Sequence, residues 1–187
     1  GHTVYYNDKK IVLHQIPTGA LREDCMCVLG NGMVIDPIGI LEELQILKDL
    51  NISVKNRILI DFYAHIVTPI HKYIDQNNEK RTNNEIGTTC KGIGPTYADK
   101  YKRIGIRAID LLDENLLKSK IQSRLNIAIN NNEIEKQQLG VIEKDLQLFY
   151  KTCDKIATFI KDTFPILNNK NNPKILIEGA QGTLLDI

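Results

Sequence analysis

No run of the 187 residues is apolar for long enough to cross a bilayer, and the N-terminus carries no signal-peptide pattern. Neither a membrane partner nor export is expected, and the cytoplasm is the default compartment. Net charge is nearly absent as well. The chain has 24 Lys and Arg against 23 Asp and Glu, a balance of +1, which argues against a nucleic acid or other general polyanion as partner. Any basic cluster must then act locally. Cysteine is sparse, and Cys25, Cys27, Cys90 and Cys153 form no zinc-finger spacing with one another or with a histidine. Cys25-x-Cys27 suits two small apolar groups on one strand face, so reduced thiols are expected. A Walker-type phosphate loop is missing, because Lys91 precedes Gly92 and no Ser or Thr follows a Gly-Lys pair. Ser/His/Asp hydrolase spacing, His-Glu-x-x-His spacing and internal repeats are missing too. Hydrophobic residues at 42% and charged residues at 25% are ordinary for one globular domain with a real core. Opening on Gly1 without Met and closing on Asp186-Ile187, the chain reads as a piece of something longer.

The remaining pattern alternates strand and helix signals. Residues 3–6 and 11–14 are β-rich runs joined through Asn7-Asp8, which tolerate the left-handed backbone of a hairpin turn. Residues 25–29 and 33–35 read as buried strand segments around the turn Gly30-Asn31-Gly32. Asp36-Pro37 reads as the cap and first residue of a helix, with a stripe of Leu41, Leu44 and Leu47 that ends near Asn51. Residues 57–61 suit an interior parallel strand, and Pro69 opens a helix through Lys80, with the polar stretch 77–84 expected to be a mobile loop. Asp113 caps a helix that gathers Leu117, Ile121, Leu125 and Ala128 on one face and ends at Asn130-Asn-Asn132. Ile142, Leu146, Phe149, Cys153, Ile156 and Ile160 form a second helical stripe. Residues 168–173 read as a linker, and Lys174-Ile-Leu-Ile-Glu178 as a return to a buried strand. The expected fold is α/β: a single incomplete domain, 1–187, with sheet core from 1–109 and 174–187 and a helical insertion at 110–167. Strands that end in glycine-rich turns place ligands at the carboxyl edge of a parallel sheet.

The chemistry concentrates in residues 86–107. Gly87, Gly92, Gly94 and Gly105 leave backbone bare, Thr88 and Thr89 add hydroxyls, and Lys91, Lys100, Lys102, Arg103 and Arg107 supply cations. Such a combination suits an anion, above all a phosphate. A Gly-Pro turn followed by a solvated basic helix would look the same. His2, just before the first strand, is either a hydrogen-bonded turn residue or an acid–base group, imidazole being the side chain that changes charge nearest neutral pH. His14, His65 and His71 fall within strand or helix patterns and read as structural. Gln181 either caps its local turn or reads the edge of a purine or amide ligand with its carboxamide. Glu178 either satisfies backbone amides or pairs with a base, and Gly30-Asn31-Gly32 reads as a plain tight turn.

Taken in order, the blocks Gly1-His2-Thr3, Leu13-His-Gln-Ile-Pro17, Gly30-Asn-Gly32, Ile86-Gly-Thr-Thr89, Gly92-Ile-Gly-Pro95, Arg103 and Glu178-Gly-Ala-Gln-Gly-Thr-Leu-Leu-Asp-Ile187 resemble the adenylosuccinate synthetase family. The resemblance implies a partial P-loop-like, mostly parallel sheet and a GTP-dependent ligation of IMP with L-aspartate. It implies His2 and Gln181 as catalytic residues, His2 as general acid at the transferring γ-phosphoryl group and Gln181 holding IMP. Gly1, His2, Thr89, Arg103 and Gln181 would bind IMP, and Gly1, His2 and Thr3 would bind GTP. The Gly1 carbonyl would touch Mg²⁺. Arg103 would reach the IMP phosphate of a neighbouring subunit, which makes a homodimer the expected unit. The family's glycine-rich phosphate loop, with its Asp base, would precede Gly1, and its aspartate and guanine sites would follow Ile187. The 187 residues alone are therefore expected to be inactive. Lys91 stands where many relatives carry Arg. The alternative is a non-catalytic purine-nucleotide-binding or dimerisation module.

Overall fold

The computed structural model describes residues 2–81, 89–171 and 174–179. The chain opens with β1 (His2–Tyr6) and β2 (Lys9–Leu13), an antiparallel hairpin in which His2 stands opposite Leu13. Asn7 and Asp8 take φ of 48° and 61°, the backbone that a two-residue turn needs and that these two residue types adopt most readily. Ile11 and Leu13 are buried while Val12 faces outward, the alternation of a strand with one covered face.

Next come β3 (Cys27–Leu29), β4 (Val34–Ile35) and α1 (Pro37–Asp49). The Asp36 carboxylate accepts the Ile38 N–H at 3.2 Å and Pro37 starts the helix, as the sequence predicts. After β5 (Ile58–Asp61) and β6 (His65–Ile66), α2 (Pro69–Arg81) and α3 (Ile93–Tyr101) follow. Segment 110–167 is mostly helical: α4 (Glu114–Asn130), capped by Asp113, then α5 (Leu139–Ile156), the short β7 (Ile160–Lys161) and α6 (Phe164–Leu167). β5 lies between β3 and β7 in a parallel sheet, and β4 pairs in parallel with β6. A mostly parallel α/β arrangement is thus what forms, with the 2–13 hairpin antiparallel. One apolar cluster joins the sheet (Leu29, Ile58, Ile60) to α1 (Ile40, Leu47), α4 (Ile121, Leu125) and α5 (Ile142, Phe149, Ile156). Each such side chain contributes roughly 1.5–3 kcal/mol on burial.

Three expectations are corrected. Residues 77–81 continue α2 instead of forming a loop, because Asn77 is buried and exchanges hydrogen bonds with the Gln138 carboxamide at 2.9 and 3.0 Å. Residues 82–84 lie outside the described residues. Ile160 belongs to β7 and not to the α5 stripe, since the helix ends at Ile156 and the chain then joins β5. Lys174-Ile-Leu-Ile-Glu178 is neither buried nor a strand: Ile175, Leu176 and Ile177 are 54, 90 and 89% exposed. An apolar run becomes a strand only beside a partner, and none of the described strands pairs with it.

Candidate active site

The hairpin that carries His2 is docked by polar contacts that arise just after β2. The Glu43 carboxylate, buried on α1, accepts the N–H groups of His14 (2.8 Å), Gln15 (3.1 Å) and Ile16 (2.8 Å). The Gln15 side chain accepts from the Asp36 N–H at 2.7 Å and donates to the Asp36 carbonyl at 3.2 Å. Successive amides and a carboxamide therefore lock residues 14–16 onto α1. Through the His2–Leu13 register, they also fix where His2 stands.

His2 Nδ1 lies 3.1 Å from Glu178 Oε1, with each side chain about one-fifth exposed, at 20 and 23%. The other carboxylate oxygen accepts the Thr18 N–H at 3.1 Å and the Thr18 hydroxyl at 3.0 Å. Glu178 thus does both things open to it from sequence, satisfying a backbone amide and pairing with a base. Nδ1 is the ring nitrogen that faces the Glu178 carboxylate, and Nε2 is the ring atom left to meet a ligand. The pair unites the opening Gly-His-Thr block with the closing Glu-Gly-Ala-Gln block. Thr3 is exposed on β1, whereas Gly1 and Gln181 lie outside the described residues.

The glycine segment is described from Thr89 onward. Thr89 is exposed, and Cys90 takes φ of 49°. Gly92, the residue before α3, has φ of 78°, and its N–H donates to Asp75 Oδ2 on α2 at 2.8 Å. A Cβ there would come within 2.9 Å of the His71 and Lys72 backbone, so only glycine fits. At the other end of α3, Arg103 takes φ of 62°. Its N–H donates to the Lys100 carbonyl, and those of Ile104 and Gly105 donate to the Asp99 carbonyl, at 3.0–3.1 Å. This is a Schellman termination with arginine in the left-handed position.

Two of the five cations around the segment have structural partners. Lys100 donates to the Asn31 carbonyl at 3.0 Å beside the Tyr97 hydroxyl, which donates to Gly32, so α3 holds the Gly30-Asn31-Gly32 turn. Arg107 stacks over Tyr63 at 5.6 Å. Lys91, Lys102 and Arg103 are exposed. Among the described residues no hydrogen bond or ion pair joins Thr89 or Arg103 to His2. A cleft of about 370 Å³ between α2, α3 and α4 is lined by Asp75, Asp99, Lys102 and Arg124 but by none of His2, Thr89, Arg103 or Glu178.

No group of three or more His, Cys, Asp or Glu gathers among the described residues in a way that could hold a metal. Burial pushes the Cys27 thiol up to about 11 and raises that of Cys153 further, so neither is a nucleophile at neutral pH. Sequence reasoning missed Glu43 and the buried Asp99 and Arg124, and read His71 as structural without its partners. The signal for Glu43 was an acid within the Leu41–Leu47 stripe, on the face that carries Ile40 and Leu47.

The parallel sheet with helices packed on it and the antiparallel hairpin at its start define an α/β protein. The family model of adenylosuccinate synthetase matches residues 1–187. The adenylosuccinate synthetase of Chlorobaculum tepidum is 42% identical over 194 aligned residues, and that of a Geobacillus species 41%. All of this chain and 44% of each relative are covered. A structure of the fully ligated adenylosuccinate synthetase from Plasmodium falciparum superposes with a TM-score of 0.83 at 37% identity, again over the whole chain and 44% of that protein. The chain belongs to the adenylosuccinate synthetase family, a family of ligases. It spans less than half the length of these relatives.

Proposed function

We propose that this chain is the central part of an adenylosuccinate synthetase, acting in the cytoplasm in purine biosynthesis as a homodimer. The reaction joins IMP and L-aspartate at the expense of GTP. The γ-phosphoryl group passes to the 6-oxygen of IMP with release of GDP. The aspartate amine then displaces phosphate from that carbon, leaving adenylosuccinate.

One observation carries the reading: His2 and Glu178, 176 positions apart in the sequence, meet at 3.1 Å. An acid that works on a transferring phosphoryl group needs a fixed ring and one nitrogen left for the substrate. The Glu178 contact supports both requirements, because the carboxylate stands against Nδ1 and leaves Nε2 to give a proton to a phosphate oxygen. Thr18 anchors Glu178 in turn. In this reading Gly1, His2 and Thr3 lie between IMP and GTP, Thr89 and Gln181 hold IMP, and Arg103 grips the IMP phosphate of the partner subunit. A guanidinium grips phosphate with two parallel N–H groups, which Lys cannot reproduce. The Gly1 carbonyl would help hold Mg²⁺ brought with GTP, and the ion would supply charge neutralisation at the phosphates. Without the phosphate loop expected ahead of Gly1, the 187 residues alone do not turn over.

His2→Asn in the complete enzyme tests this. Turnover is expected to fall by at least about a hundredfold while the IMP dissociation constant changes less than about threefold. Steady-state kinetics beside calorimetry reads both, and turnover near wild type removes His2 from the mechanism.

A further inference from the structure

We propose that Asp99, with His71 and Arg124 behind it, positions Arg103: its buried carboxylate locks α3 to α2 and α4, while its own carbonyl receives the two N–H groups that hold Arg103 left-handed. The proposal rests on the reading of Arg103 as a phosphate ligand and goes beyond it by naming what keeps that arginine in place.

α3 is nine residues long, and its buried side chains are those of Thr96 and Asp99. No apolar side chain of α3 is fully buried, so packing alone does not fix its rotation or its height. The Thr96 hydroxyl turns back to the Gly92 carbonyl at 2.7 Å. Asp99 is therefore the buried side chain through which α3 reaches other elements. Its Oδ2 lies 3.0 Å from His71 Nε2 on α2 and in contact with Arg124 Nε on α4, with all three side chains no more than 3% exposed. The His71 tautomer follows from its other nitrogen. The Thr68 N–H donates to Nδ1 at 3.0 Å, so that atom has no proton and Nε2–H points its hydrogen at Asp99. Arg124 is held from behind by Glu133, whose Oε2 lies 2.8 Å from Nη1. The run Thr68–His71–Asp99–Arg124–Glu133 thus ties the end of β6 to three helices.

The backbone of Asp99 completes the device. Ile104 and Gly105 both donate to its carbonyl, which closes the turn on Arg103. The outgoing arm is pinned as well. The Ile66 N–H donates to the Ile106 carbonyl at 2.8 Å, and Gly105 crosses His65 so closely that a Cβ would meet its ring at 2.5 Å. Both arms of the turn are fixed, and Arg103 stands exposed at its crest. A buried ion network is a poor device for stability, since apolar residues often serve as well, but its hydrogen bonds specify direction. Direction is what an arginine needs if it must reach a phosphate outside its own subunit.

The experiment uses the complete enzyme with Asp99→Asn, Thr68→Val, and each combined with Arg103→Ala. Thr68→Val removes the hydroxyl that lies 3.0 Å from His71 Nδ1 at the far end of the network, and serves where Asp99→Asn does not fold. For Asp99→Asn, KM for IMP is expected to rise at least about tenfold with kcat held within about twofold, and exchange of the Ile104 and Gly105 amides to speed up similarly. Thr68→Val should move both in the same direction by about threefold. In the Arg103→Ala background neither change should add to KM. A folded variant with wild-type KM and exchange overturns the proposal, and so does a KM effect that persists in full without Arg103. Arg103→Ala with unchanged KM for IMP overturns instead the reading of Arg103, and the proposal with it.

Discussion

Arg103 occupies the position after a helix where glycine is the usual residue, because a left-handed backbone brings a Cβ against the carbonyl. Keeping an arginine there costs about 1 kcal/mol, and its exposed side chain makes no hydrogen bond or ion pair among the described residues that offsets the cost. In the reading proposed above, the grip of the side chain on phosphate is the reason for the choice. Arg103→Gly is accordingly expected to raise the unfolding free energy of the chain by about 0.5–1 kcal/mol in urea titrations, while the complete enzyme loses IMP affinity. A loss of stability together with normal IMP affinity would mean that Arg103 serves the fold. Gly92 is the opposite case: its φ of 78° and the 2.9 Å approach of the α2 backbone leave no room for any side chain.

The elements differ in how far they could be read from sequence. The hairpin, the Asp36 and Asp113 caps, and the strand at 58–61 were legible because each depends on local chemistry: left-handed Asn-Asp, a carboxylate ahead of a first turn, a short apolar run. The end of α2 was read two ways, as a helix through Lys80 and as a loop from Asn77, and the helix is what forms. Asn77 looks like a loop residue, and Gln138 and the Glu133 carbonyl, 61 and 56 positions away, make it an interior one. Lys174-Ile-Leu-Ile-Glu178 has the composition of a buried strand, but burial depends on neighbours that composition does not supply. His71, taken as a structural histidine, is structural in a specific sense, as the hinge pin between α2 and α3. Burial holds it below the ordinary imidazole value of about 6.5, against the pull of Asp99. His65 is lowered too, by burial and then by the Lys100 and Arg107 charges. For Asp99, burial opposes ionisation, but the His71 and Arg124 hydrogen bonds outweigh it and keep the carboxyl below its usual range.

A pH dependence follows from these histidines. The unfolded chain takes up protons near 6.5 where the folded chain does not, so acid pulls toward unfolding. Stability should be fully present above that value and decline as pH falls from 7 toward 5, by up to about 1.4 kcal/mol per pH unit for each histidine. Urea unfolding across that range reads the slope, and His71→Gln should flatten it. Unchanged stability down to pH 5 would contradict the neutral, buried His71.

For the whole molecule, the central matter is what one subunit can and cannot assemble. His2, Glu178 and Thr18 form one cluster within the chain, whereas Arg103 stands on an exposed crest with no polar contact to His2 among the described residues. A site that needs both, in the reading proposed above, is built from two subunits. In it the imidazole works on phosphoryl transfer in its own subunit and the guanidinium on the IMP phosphate next door. The most direct test is to co-express the complete enzyme as His2→Asn and Arg103→Ala and to assay at IMP well below the KM of Arg103→Ala, where each is nearly inactive alone. Random pairing makes half of the dimers mixed, and each mixed dimer holds one site with both groups intact, so about a quarter of wild-type turnover should return. A mixture no more active than its separate components, with mixed dimers confirmed by mass, would contradict a shared site.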